Sequence, residues 1–119
     1  MAKIITSPSI IDAAGTGGKI IREYFGRVNS DTSEVSIAYM VSPQGWIEPG
    51  QTPAFNEYTV VLKGKLKIQT KDKEYSVSEG QAILTESGEW VQYSTPYEGG
   101  AEYIAVCLPA FSPDIVFRD

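Results

Sequence analysis

The side chains able to do chemistry in this 119-residue chain are chiefly carboxylates, hydroxyls, amides and lysines, because it has one cysteine and no histidine. The missing histidines remove imidazole acid–base catalysis, histidine-dependent triads and every His-ligated metal site. A single Cys107 excludes an intramolecular disulfide and any cysteine-cluster zinc or iron–sulfur centre. Cys107 sits in an apolar run with no cation beside it, the setting of a buried, inert thiol. Glu48, Glu86 and Glu89 stand in turn-rich sequence, where glutamates are ordinarily solvated. Trp46 and Trp90, with Tyr39 and Tyr103, have the chemistry to wall a site for a sugar or another ring; the same residues also serve as ordinary core filling.

Those residues are carried by a chain of ordinary globular composition, 42% hydrophobic and 21% charged, long enough for one domain over residues 1–119 with a core of its own. From Glu34 onward short apolar or alternating runs are separated by turn residues, the spacing of an all-β sandwich or barrel. Strands are expected at Val35–Val41, Tyr58–Leu62, Lys65–Thr70, Lys73–Val77, Ala82–Thr85, Trp90–Ser94 and Ala101–Leu108, with a shorter one at Ile115–Phe117. Residues 1–34 stay unassigned: Ile20, Ile21, Tyr24, Phe25 and Val28 form either a helical stripe or an edge strand. Lys63, Lys65 and Lys67 alternate with Leu66 and Ile68, so the lysines mark either an anion-binding stripe or a solvated outer face.

A formal charge of −5 opposes binding to a phosphate backbone or an anionic membrane surface. With no apolar leader and no run of about 18 apolar residues, the expectation is a soluble cytoplasmic protein. The run Tyr58–Leu62 is apolar on both faces, Tyr58, Val60 and Leu62 on one and Thr59 and Val61 on the other. One barrel covers only one of them, so a homodimer is expected.

The stretch from Gly45 through Gln51, Pro53 and Glu57 to Gly64 resembles the first motif of the cupins: Gly, five residues, His-any-His, three or four residues, Glu, six residues, Gly. Gly45, Glu57 and Gly64 are in place, while Gln51 and Pro53 stand at the histidine positions. Gly80 to Thr95 resembles the second motif, with Gly80 and Gly88 kept, Glu86 for its proline, Val91 for its histidine and Thr95 for its asparagine. The 15 residues between Gly64 and Gly80 match the short inter-motif gap of small microbial cupins. The resemblance implies a single-domain jelly-roll β-barrel with its core over about residues 35–108, usually dimeric, with a pocket inside.

Carried over position by position, it turns Gln51, Glu57, Thr59, Val91 and Tyr93 toward the lumen. Of the family's four metal-ligating positions only Glu57 keeps a good ligand, so no metal and no other cofactor is expected. An oxygen-ligated Mn, Mg or Ca would need Glu48 or Glu89 to move in. Glu57 in an apolar barrel must be paired, hydrogen-bonded or protonated; it is either a proton-transfer or ligand-orienting carboxylate, with Gln51 and Tyr93 as partners, or a structural one. Three functions follow. The leading one is a metal-independent binder of a sugar or small organic acid, held by Gln51, Glu57, Thr59, Trp46, Trp90, Tyr93, Tyr39 and Tyr103. The others are an isomerase, epimerase or lyase with Glu57 as catalytic acid or base, and a structural or regulatory dimer with a vestigial pocket.

Overall fold

Period-two alternation builds the molecule. In strand β9 (Ala101–Leu108) Ala101, Tyr103, Ala105 and Cys107 are buried, and the residues between them point outward. Strand β3 (Ser36–Ser42) runs antiparallel to it from Ser36 opposite Cys107 to Ser42 opposite Ala101, so Ser36, Ala38 and Ser42 share that inner face. The structure, a computed structural model, describes residues 1–119. Its other strands are β1 (Ser9–Ile11), β2 (Ile20–Phe25), β4 (Trp46–Ile47), β5 (Asn56–Thr70), β6 (Glu74–Ser78), β7 (Ala82–Thr85) and β8 (Val91–Thr95). The fold is all-β. One 3₁₀ turn, Pro113–Ile115, is its only helical element, and no helix is long and apolar enough to cross a membrane.

The long strand β5 belongs to two sheets. Its first half pairs with β9, Glu57 opposite Cys107 and Thr59 opposite Ala105, and on its other side with β7. Past a bulge between Val61 and Lys63 its second half pairs with β6 and β8. The sheets β1-β2-β3-β9-β5-β7 and β4-β8-β5-β6 curl around a core in which Leu66, Ile68, Val61 and Val91 are almost wholly buried. Sequence spacing divides this strand at Lys63-Gly64, yet the chain runs on. Gly64, at φ +75°, takes the bend and lies against the Gly100 carbonyl, where no Cβ fits. Lys67 pairs with Glu74 at 3.2 Å and Lys65 stands over the Tyr97 ring, so the lysine stripe is the solvated outer face.

The first 34 residues supply two strands at one side of the first sheet, β1 being its edge. β1 pairs with β2 and β2 with β3, extending the first sheet, with Ile21 and Glu23 turned inward. Glu23 is buried and satisfied: its Oε2 accepts hydrogen bonds from the Val28 and Asn29 backbone amides at 3.0 and 2.8 Å.

The expected strand Ile115–Phe117 does not form. Ser112 accepts a hydrogen bond from the Asp114 amide and Pro113 follows the cap, which starts a 3₁₀ turn, and Phe117 adopts φ +48°. The tail then straps along residues 50–54: Ala54 N–H donates to Ile115 O, Thr52 N–H to Phe117 O, and Asp119 N–H to Gly50 O. On the outside, Tyr58, Val60, Leu62, Leu84 and Leu108 are 40–44% exposed, while Thr59 and Val61 on the inner face are 1% exposed.

Candidate functional site

The inner faces of the first sheet, with the two chain ends, enclose a cavity of about 70 Å³. Lys19 enters it from just before β2. Thr16 exchanges backbone hydrogen bonds with Ile47, and Gly17, at φ +118°, packs on the Trp46 backbone where a Cβ has no room. That close approach aims Lys19 inward: its side chain is 7% exposed, and Nζ lies 4.1 Å from the Trp46 ring centroid and 5.4 Å from that of Tyr103. Its nearest carboxylate oxygen, Glu48 Oε1, is 4.0 Å away, longer than a hydrogen bond. Burial alone would lower the Lys19 ammonium, but the Tyr103 phenol oxygen and the carboxylates of Glu48 and Glu57 outweigh it and hold Lys19 charged above the ordinary lysine range.

Glu57 opens onto the same cavity. Burial pushes its carboxyl up to about 7; Lys19 opposes the rise, Glu48 adds to it, and a hydrogen bond from the Cys107 thiol opposes it. Glu48 is also raised, because burial exceeds the pull of Lys19 and Arg118. Burial and the facing Glu57 push the Cys107 thiol up, keeping it protonated and unreactive.

Of the residues singled out from sequence, Gln51, Glu57, Tyr93, Trp46 and Tyr103 line this cavity. Gln51 is 4% exposed and its Oε1 has no hydrogen-bond partner. Tyr93 bonds to Thr85 Oγ1 at 2.8 Å rather than to Glu57, which lies opposite Cys107 on β9. Thr59 is wholly buried behind the cavity wall with its hydroxyl unpartnered.

Two aromatics lie elsewhere. Tyr39 falls between the inward Ala38 and Met40, so the pleat turns it outward, where it bonds to Glu102 and stacks near Arg22. Trp90 precedes β8, packs on Gly50 and donates from Nε1 to Asp119 at 2.9 Å. The aromatic wall is therefore Trp46 and Tyr103, with an ammonium against it.

Sequence reasoning missed Lys19 and Arg118, and took Glu48 as solvated when it is 7% exposed. The available signal was Gly17-Gly18 before Lys19, a glycine pair that marks a turn or a close backbone approach.

Cupin barrels imply a metal, and the donors here do not fit one. Among the positions at which the family ligates metal, Pro53 and Val91 offer no side-chain donor, and Val91 is 1% exposed in the apolar core. The cavity's positive charge is instead that of Lys19, beside Glu48.

Comparison with known proteins agrees with this architecture. The family model described as Cupin domain matches residues 39–107. The chain is 38% identical over 102 residues to a curated Myxococcus xanthus protein named Endoribonuclease YbeY, a match covering 86% of this chain and 35% of that protein. The chain thus spans about a third of that relative's length. Among solved structures it resembles the Clostridium difficile EutQ protein, with TM-score 0.65 and 24% identity over 77% of this chain and 63% of that one. It also resembles a predicted oxalate decarboxylase of Thermotoga maritima, with TM-score 0.72 and 18% identity over 92% and 99% of the two chains. These two likenesses are of fold. With two spaced glycine-and-glutamate motifs, a jelly-roll of two curled sheets and a family match over more than half its length, the chain belongs to the cupin family.

Proposed function

We propose that this chain is a metal-independent cupin that binds a small organic acid or sugar in its lumen. The observation that carries the reading is Gln51: a buried amide oxygen without a partner, on the wall of a cavity, is a costly arrangement unless a ligand or water completes it. Lys19 lines the same cavity, with ammonium donors not engaged at hydrogen-bond distance by a carboxylate, so its walls carry both a donor and an unpartnered amide. Thermal-shift screening of a panel of small acids and sugars tests this. At least one raises Tm with dose; a panel without any such compound overturns the reading.

A second reading, catalysis, is favoured by Glu57. A carboxyl near 7 next to a fixed ammonium exchanges protons at neutral pH and suits an isomerase, epimerase or lyase step. The ribonuclease name of the curated relative is not carried to this chain, since a formal charge of −5 opposes an RNA backbone.

The partner we propose is a second copy. Tyr58 lies opposite both Leu84 and Val106, and Val60 opposite Ala82 and Ile104, so the outer faces of β5, β7 and β9 form one apolar surface. Its location is proposed as cytoplasmic, where a lone thiol stays reduced.

A further inference from the structure

We infer that Lys19 is an anion seat, and that the lumen takes a short 2-hydroxycarboxylate whose carboxylate faces Lys19 and Arg118 while its hydroxyl donates to Gln51 Oε1. This rests on the small-molecule reading above and names the ligand class for that same cavity.

Three observations define the class. The first is size: the cavity measures about 70 Å³, and on the same measure one water needs about 10–15 Å³. The space suits a handful of heavy atoms. The second is charge. Lys19 and the exposed Arg118 come from opposite ends of the chain to line the same cavity, and Arg118 is brought to its rim by the bridge that pairs it with Gln51.

The charged and titratable groups facing this space are Lys19 and Glu23 from the first sheet's edge, Glu48, Glu57 of β5, Tyr93 of β8, Tyr103 and Cys107 of β9, and Arg118 of the tail. Glu23 is hydrogen-bonded to two backbone N–H groups, and burial pushes up the Tyr93 phenol and the Cys107 thiol, which stay protonated. Glu48 offsets one cation. Glu57 is the other carboxylate whose charge reaches Lys19. The third observation is polarity: Gln51 Oε1 accepts only, so the ligand must bring a donor within a few bonds of its anion. A hydroxyl next to a carboxylate meets both demands.

The test titrates the full chain with glycolate, acetate, ethylene glycol and ethanolamine, followed by calorimetry and by amide chemical shifts. At pH 6 glycolate should bind one per chain, with acetate about tenfold weaker and ethylene glycol and ethanolamine weaker still. Gln51→Leu should bring glycolate to the level of acetate, which Lys19→Met, at risk of misfolding, is not needed to show. Ethylene glycol or ethanolamine binding as well as glycolate overturns the anion seat while leaving a small-molecule pocket. Equal glycolate affinity in wild type and Gln51→Leu overturns the assignment too. If none of the four binds, the inference fails, and the broader acid and sugar panel alone decides whether the reading beneath it fails as well.

Discussion

Lys19 Nζ lies 4.0 Å from Glu48 Oε1 inside the barrel, both side chains less than a tenth exposed. This pair sets the cavity's charge, and neither member forms a hydrogen bond to the other. Removing one partner strands the other in low dielectric. Lys19→Met should therefore cost about 3 kcal/mol at pH 8 and less at pH 5, where the orphaned Glu48 can take a proton. Urea denaturation at the two pH values measures this; an equal loss at both would mean that Glu48 is not paired with Lys19.

Glu57 gives the fold a pH signature. Its carboxyl holds a proton up to about 7 in the folded chain, against about 4.3 in an unfolded one. Between those values the folded state holds more protons, so stability falls as pH rises through that window and is level on either side. The loss attributable to this group is about 4 kcal/mol. Glu57→Gln should fold normally and lack that slope, whereas Glu57→Leu leaves the group's former partners unsatisfied at a cost of ~1–3 kcal/mol. Parallel stability curves for wild type and Glu57→Gln across pH 4 to 8 would refute the assignment.

Cys107 should resist alkylation. Buried and facing Glu57, its thiol is pushed up and stays protonated. Iodoacetamide at pH 8 should leave the native chain unmodified by mass spectrometry and label it fully in urea; rapid native labelling would contradict both the burial and the pairing.

Light scattering at micromolar concentration should return twice the 13.0 kDa chain mass. Val60→Glu, in the middle of the apolar outer face, should return the single-chain mass without unfolding. A wild-type monomer would remove the dimer.

The two tryptophans should separate. Trp46 borders the cavity and Trp90 does not, so Trp90→Phe should keep a ligand-dependent fluorescence change and Trp46→Phe should lose it. The reverse pattern would relocate the site.

The barrel and half the site were legible in the sequence because period two and motif spacing both act locally. Gln51, Glu57 and Tyr93 follow from them, as do the buried Leu66 and Ile68. Lys19, Glu48 and Arg118 were hidden because their placement depends on contacts between distant segments: residues 14–19 against Trp46, and the tail against residues 50–54. No hydrophobic period marks a lysine that is drawn inward by a ring and two carboxylates. Tyr39 and Trp90 were misassigned to the wall because aromaticity says nothing about which face of the pleat a residue occupies, and for Tyr39 the alternation with Ala38 and Met40 decides it.

The central claim, a cavity that works with an ammonium in place of a metal, is tested most directly by elemental analysis of untagged protein before and after chelator, with ligand-induced thermal shift measured on the same samples. The account predicts no stoichiometric Fe, Mn, Ni or Zn and a ligand shift that chelator does not change. About one tightly held transition metal per chain, or a ligand shift that disappears with chelator and returns with metal, would contradict it.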